Sequence, residues 1–519
     1  LKRPQQEAKR PNRFGNRELE ERQRIALPAA FQITSQAARS DFERNSLRSV
    51  LKERLAHTRP SSFYFVVNGF LNPRRRAMNA LANKDAIKKI TTHYIDAAFV
   101  ESHGREVMDI INPTSSEVIA HVRLGDAEDA QHAIAAAKRA FVDFGRTTKE
   151  ERAKILRRLH EAVSARLDDL TDVMIKEYGG TAVFSRLITE AAANVFLAAE
   201  KALQELPLTR SWGTTTVIME PVGVAGLITP WNANSFFLSA KLASAVAAAC
   251  TVVIKPSELS SLQTQAWLEC VHAARLPKGV CNVVTGRGDV VGAELVRNPD
   301  VAKISFTGSV AVGKSIMRDG AGTMKRVTLE LGGKSPNVLL DDADLKKAIP
   351  AAFVIAFLNS GQACAAGTRL LVPESRFDEV KRAIVDTISA FPVGNPADPK
   401  TAVGPMVTQK QYERVQSYIR KGIEEGAEVL VGGEGRPHGL EAGYFVKPTV
   451  FVNVKNDMTI AREEIFGPVL SVITYKTEED AHRQRHELRP PRLRERYRHE
   501  APPGGVSNPS RSRRDQRHA

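Results

Sequence analysis

The sequence predicts an α/β fold with mainly parallel sheets covered by helices, and three observations predict it. Amphipathic helical stretches alternate with short apolar runs from about residue 126 onward, the rhythm of repeated β-α-β units. Several of those runs, such as TVVI (251–254) and NVLL (337–340), are apolar without polar alternation, as strands buried under helices are. The composition, 42% apolar and 26% charged over 519 residues, is that of a soluble globular chain with room for two to four domains.

Residues 1–77 mix Arg, Gln, Asn and Pro without a sustained apolar period and read as a disordered basic extension. Met78 reads as the true start, with untranslated or disordered sequence before it. DAEDAQHAIAAAKRAFVDF (126–144) places apolar residues at helical spacing. KEERAKILRRLHEAVSARLDDLTDVMIKEYG (149–179) holds one or two amphipathic helices stopped at Gly179-Gly180. TTTVIMEPVGVAGLITPW (214–231) reads as strands. SFFLSAKLASAVAAACTVVI (235–254) is long enough to span a bilayer. Lys241 near its middle, the many small residues and the β-branched end make it instead a buried helix running into a buried strand. NVVTG, VVGAELVRN and AKISFTG continue the alternation. A second run begins near Ser335 with NVLL, a helix from Asp344 to Leu358, the strand TRLLV and a helix from Glu374 to Phe391. There is no internal repeat.

The net charge of +15 suggests a nucleic-acid binder until it is located. Residues 1–77 carry 17 Lys+Arg against 7 Asp+Glu, and residues 482–519 carry 11 Arg against 4 acids. The 404 residues between them hold 46 basic and 48 acidic side chains, so the body is nearly neutral. Neither a nucleic acid nor a membrane is expected as a partner. Cys250, Cys270, Cys281 and Cys364 show no C-x-x-C pair and no zinc spacing. No metal is expected, and a reduced, cytoplasmic compartment is. The charged start has no apolar signal stretch.

One motif argues for a different chemistry. FTGSVAVGKS (306–315) satisfies G-x-x-x-x-G-K-S from Gly308 to Ser315, and NVLLDDAD (337–344) could supply a magnesium-binding acid. The alternative is thus a P-loop NTPase. The pattern is short, lies deep in the chain and has no other phosphate-transfer motif beside it, so the chain is not read that way.

ITPWN (228–232), VIKPSE (253–258), FTGSVAVGK (306–314), LELGGKSPN (329–337), GQACAAGTR (361–369) and EEIFGPV (463–469) occur in this order. Together they closely resemble the aldehyde dehydrogenase family, from about residue 95 to Ala481. The resemblance implies a Rossmann-like NAD-binding domain (78–202 and 222–332), a β-arm for oligomerisation (203–221) and an α/β catalytic domain (333–481, incomplete). A homo-oligomer is implied where the C-terminus is intact. It also implies that the helix beginning near Ser309 turns its N–H groups to the cofactor pyrophosphate, with Gly308 for close approach and Gly313 for packing. Trp231, Ser257, Leu331 and Gly332 join them as cofactor-contacting positions. Lys255 and Glu258 would meet the adenosine ribose, and a carboxylate there selects NAD over NADP. Cys364 would be the nucleophile that forms a thiohemiacetal with an aldehyde substrate. Asn232, with the backbone N–H of Cys364, would hold the oxyanion. Glu330 would activate the water that hydrolyses the thioester. Glu464 and Phe466 would hold the nicotinamide ribose and ring.

Two stretches depart from the pattern. Many relatives follow PWN with an aromatic residue and Pro, whereas this chain has Ala233-Asn234-Ser235, so the aldehyde class stays open. After Ala481 the expected Ile-Ala-Asn-Asp-Thr-x-Tyr-Gly is replaced by HRQRHELRP. A permitted codon choice for His482 to Pro490 reads Ile-Ala-Asn-Asp-Thr-Ser-Tyr-Gly once its first base is dropped. The tail 482–519 is therefore expected to be a frame-shifted C-terminus, or else a genuine basic extension; either would leave the catalytic domain incomplete, and a truncated, inactive product of the same family is the second alternative for the function.

Overall fold

The computed structural model describes residues 87–486. The expectations for the extension 1–77, for Met78 and for the tail beyond residue 486 lie outside the described residues. Two compact units form. Unit 1 comprises 87–332, Val393–Gln411 and His438–Phe445; unit 2 comprises Gly333–Pro392, Tyr412–Pro437 and 446–486.

Unit 1 opens with the strands β1 (Lys88–Ile90), β2 (Thr92–Ile95), β3 (Ala98–Glu101), β4 (Val107–Ile111) and β5 (Val118–Arg123). Four helices follow: α1 (Ala127–Phe144), α2 (Lys149–Ser164), α3 (Leu167–Tyr178) and α4 (Ala182–Glu205). Capping boxes start the first two, Asp126 with Asp129 and Thr148 with Glu151, each satisfying N–H groups that a helix start leaves unpaired. The stretch 149–179 thus holds two helices, and Gly179 at φ 78° ends the second. A hairpin of β6 (Thr209–Trp212) and β7 (Thr215–Ile218) comes next.

The alternation then becomes strict: β8 (Val224–Ile228), α5 (Asn234–Ala247), β9 (Thr251–Lys255), α6 (Ser261–Ala273), β10 (Cys281–Val283), α7 (Ala293–Arg297), β11 (Val301–Gly308), α8 (Val310–Gly320) and β12 (Arg326–Leu331). The seven-stranded sheet has the order β12-β11-β8-β9-β10-β2-β3. Its first five strands are parallel, and β2 and β3 extend it antiparallel. Every residue of β8 and β9 is buried, which explains why VAGLI and the VVI of β9 run without polar alternation. Leu156, Leu159, Phe196, Leu242, Val252, Ile254 and Trp267 share one core beneath this sheet.

One helix among the described residues, α4, is long and apolar enough to cross a membrane. It puts Phe184, Ile188, Ala192 and Phe196 into the protein interior, and Arg157 pairs with its Glu200 at 2.5 Å. The apolar stretch 235–254 is the helix α5 followed by the strand β9.

Unit 2 contains β13 (Pro336–Val338), α9 (Leu345–Phe357), β14 (Arg369–Pro373), α10 (Phe377–Ile388), most of α11 (Gln409–Glu424), β15 (Glu428–Val431), β16 (Thr449–Val452), α12 (Thr459–Arg462), β17 (Val469–Tyr475) and α13 (Glu478–His486). Its sheet runs β13-β14-β17-β16-β15, parallel except for β15.

Trp267 of α6 is fully buried, and its indole N–H donates to Ser239 Oγ of α5 at 3.0 Å. Trp267→Ala would leave a cavity and an unpaired hydroxyl, lowering the stability of unit 1 by about 3–5 kcal/mol. Urea unfolding followed by circular dichroism measures the loss.

Candidate active site

In unit 1 the sequence-predicted residues collect where four neighbouring parallel strands stop. Ile228 of β8 pairs with Lys255 of β9, Phe306 of β11 pairs with Ile228, and Gly308 pairs with Leu331 of β12. The turn Thr229–Asn232 therefore leaves the sheet between Lys255–Glu258 on one side and Gly308–Ser309 on the other. Ligands of open α/β sheets bind at this carboxyl edge.

The turn is tied down from several sides. Thr229 N–H donates to the Lys255 carbonyl at 3.1 Å, and the ring of Trp231 lies 5.7 Å from that of Tyr178. Asn232 is buried, at 6% exposure. Next to it, Lys255 Nζ donates to Glu258 Oε2 at 2.8 Å. The lysine end of this pair is 5% exposed, so it is not an ordinary solvated pair. Ser257 Oγ accepts from Leu259 N–H at 3.3 Å and starts the short turn Glu258–Ser260.

Ser309 is the N-cap of α8, its hydroxyl accepting from Val312 N–H at 3.4 Å. The other N–H groups of the first turn have no partner within the helix. A Cβ on Gly313 would lie 2.8 Å from Leu331 Cδ2, so this glycine lets α8 sit close on β12. A Cβ on Gly308 would meet the ring of Phe306 at 2.5 Å, a second reason for glycine there besides close approach to a ligand. This geometry disposes of the P-loop reading. The helix begins two residues after Gly308, so Lys314 sits within it and is exposed; no long glycine-flanked loop precedes the lysine to wrap a phosphate.

Glu330 stands on β12 opposite Thr307 and is exposed, and Gly332 ends that strand's run. Lys241 of α5 lies near it, its ammonium donating to Ser305 Oγ at 2.8 Å. Burial pushes Lys241 down to about 8, and the Glu330 charge opposes that shift.

In unit 2, Cys364 lies in an exposed turn after three consecutive left-handed residues, Asn359, Ser360 and Gly361, at φ 54°, 58° and 74°. A Cβ on Gly361 would fall 2.2 Å from the Gly467 carbonyl oxygen. The backbone of the cysteine loop thus rests on the turn that carries Glu464 and Phe466, and Phe466 is itself at φ 62°. Glu464 Oε1 accepts from Gly333 N–H at 3.3 Å, and its carbonyl accepts from Arg414 Nη2 at 2.8 Å. Burial raises the Glu464 carboxyl above its ordinary value. Cys250, Cys270 and Cys281 are buried; burial pushes Cys270 up to about 11 and Cys281 up to about 12. Protonated thiols of that kind are poor nucleophiles.

The structure thus gathers Trp231, Asn232, Lys255, Ser257, Glu258, Gly308, Ser309, Gly313, Glu330, Leu331 and Gly332 in unit 1, and Cys364, Glu464 and Phe466 in unit 2. Sequence reasoning missed Lys241, Lys334, Gly361 and Arg414 as site residues. Lys334 and Gly361 lie inside the LELGGKSPN and GQACAAGTR motifs, Lys241 stands out only as a charge in an apolar stretch, and Arg414 carries no signal in sequence. Lys334 is 7% exposed, with no hydrogen-bond partner for its Nζ among the described residues. Burial, aided by Arg369, pushes it down to about 7.

Residues 99–486 match the profile of the Aldehyde dehydrogenase family. A Staphylococcus aureus protein whose name assigns it provisionally to the aldehyde dehydrogenases is 43% identical over 396 residues, 76% of this chain and 83% of that one. A cysteine-to-alanine variant of aldehyde dehydrogenase C from Pseudomonas syringae, solved with NAD+ and octanal, is 40% identical. It superposes with a TM-score of 0.75 over 80% of this chain and 84% of its own. The NAD+ complex of an aldehyde dehydrogenase from Bacillus cereus is 35% identical with the same TM-score and coverage.

Lys334 and Lys241 carry folded-state values of about 7 and about 8, below the ordinary 10.5. Across that window the unfolded chain binds protons that the folded chain does not, so stability rises with pH. Lys334→Met removes one such group. The slope of unfolding free energy between about pH 8 and pH 10 should fall by about 1.4 kcal/mol per pH unit. Urea titrations across that range provide the measurement.

Proposed function

This chain belongs to the aldehyde dehydrogenase family, and on that premise we propose that it oxidises an aldehyde to the carboxylic acid with NAD, through a thioester on Cys364. The observation that carries the reading is the carboxyl edge of unit 1, where Asn232, Lys255, Glu258, Ser309 and Glu330 leave four adjacent strands. The donor set there suits a dinucleotide. An open helix start at Ser309 favours a pyrophosphate, and a lysine–carboxylate pair at the neighbouring strand end favours ribose hydroxyls.

Lys255 and Glu258 would hold the adenosine ribose, Gly308, Ser309 and Gly313 the phosphate cradle, and Glu464 and Phe466 the nicotinamide end. Trp231, Ser257, Leu331 and Gly332 would line the approach. NAD, when bound, accepts the hydride that leaves the substrate carbon. The protein's own groups do the rest. Cys364, as thiolate, attacks the carbonyl carbon. Asn232 Nδ2 and the Cys364 backbone N–H donate to the oxyanion. Once the carbon is oxidised, Glu330 takes a proton from water, which attacks the thioester and releases the acid and the thiolate.

The same reading gives unit 1 the cofactor-binding role and unit 2 the nucleophile. It assigns the hairpin β6–β7, with Trp212 and Ile218 exposed, to pairing with a second copy, and it places the protein in a reducing cytoplasm. The octanal bound to the Pseudomonas syringae relative makes medium-chain aliphatic aldehydes the first substrates to test.

NADH formation with a panel of aliphatic and aromatic aldehydes tests the proposal. Cys364→Ala should abolish turnover, and Glu330→Gln should slow it by about 10²–10⁴-fold while leaving acylation of Cys364 detectable by mass spectrometry. Turnover that survives Cys364→Ala would refute the mechanism. NADP should serve less well than NAD, and Glu258→Ser should narrow the difference in KM by about tenfold.

A further inference from the structure

Asn232 and the Lys255–Glu258 loop belong to different strand ends, yet one buried polar cluster grips both. Asn234 is completely buried at the first position of α5. Its Nδ2 donates to Thr264 Oγ1 of α6 at 3.0 Å and reaches the Ser260 carbonyl at 3.5 Å. Ser260 Oγ donates to the Trp231 carbonyl at 3.5 Å, and Ser261 Oγ donates to the Glu258 carbonyl at 2.7 Å. The start of α6 therefore touches the backbone on each side: Trp231, just before Asn232, and Glu258.

That helix start is capped from elsewhere. Ser260, its N-cap, makes no side-chain cap bond. The carboxylate of Glu177, 1% exposed at the end of α3, accepts instead from Leu262 N–H at 2.7 Å, Gln263 N–H at 3.0 Å and Gln263 Nε2 at 3.1 Å. The next residue, Tyr178, packs its ring against Trp231. A carboxylate buried under three donors takes the place of a local cap. It fixes where α6 begins, and with it where Glu258 stands.

We infer that Glu177, Asn234 and Thr264 are positioning residues for the adenosine half of the dinucleotide, holding the Lys255–Glu258 loop in register with the turn that carries Asn232. None of the three is needed at the reacting carbon. Their effect passes through the placement of Glu258, and the inference rests on the proposed cofactor site.

Calorimetric titration of the full chain with NAD and with AMP, which carries only the adenosine half, tests it. Thr264→Val keeps the shape and removes the acceptor of Asn234; Glu177→Gln keeps the shape and leaves one helix N–H facing an amide donor. Each should raise the Kd of NAD and of AMP alike by about tenfold, while Thr264→Ser, which keeps the hydroxyl, stays within about twofold. Kd values unchanged in both variants, whatever happens to their melting temperatures, would reduce the cluster to ordinary packing and overturn the inference. So would a loss confined to NAD, which would place the effect at the other end of the dinucleotide. A parent chain that binds neither NAD nor AMP would overturn the proposed cofactor reading itself.

Discussion

The register of four parallel strands is the constraint on which unit 1 depends. Hydrogen bonding of β12, β11, β8 and β9 fixes which residue faces which, and Ile228, Lys255, Gly308 and Leu331 consequently fall near one line. A slip by one residue in a strand turns its side chains to the opposite face. In β12 it would turn the exposed Glu330 inward and bring the half-buried Leu329 and Leu331 to the outer face. In β8 and β9 every residue is buried, so a slip there would displace side chains that are already packed in the core.

Where the strands stop, the backbone still has donors and acceptors to satisfy. Side chains from neighbouring loops and helices do this: Ser309 for α8, Ser257 for the turn at Glu258, Glu177 for α6. Buried polar groups are concentrated at this edge for that reason. Hydrogen bonds in a low-dielectric interior have few alternative arrangements, so the loops are held by these specific bonds as well as by apolar contact. Unit 2 reaches a similar end differently. Its cysteine loop is set by left-handed backbone and by a contact that only glycine permits.

Much of this was legible in the chain. Alternating apolar helices and runs such as TVVI mark the covered parallel sheet, and the start of α8 at Ser309 is the one that the family resemblance implies. The division of 149–179 at residues 165–166 was not legible, because Ala165-Arg166 carries no helix-breaking residue. The membership of Val393–Gln411 in unit 1 was hidden as well; Gly404, whose Cβ would sit 2.4 Å from the Gly179 carbonyl oxygen, shows that contact only once the chain has folded. Lys241 and Lys334 illustrate the same limit. A lysine in sequence shows neither its burial nor its neighbours, and both decide what it does. The roles given to Cys364, Glu330 and Asn232 came from motif likeness, and no pattern of spacing alone would have singled them out.

The meeting of Gly361 with Gly467 is a place where two distant parts of the chain constrain each other by what they lack. A methyl group at residue 361 has nowhere to go, because the atom it would strike belongs to the main chain and cannot swing aside as a side chain could. Drift at this position is closed in a way that compensating substitutions nearby cannot reopen, since no exchange of side chains moves a carbonyl oxygen out of the way. The cysteine loop is thereby bound to the history of a segment a hundred residues away, and the two can be transplanted into another scaffold only together.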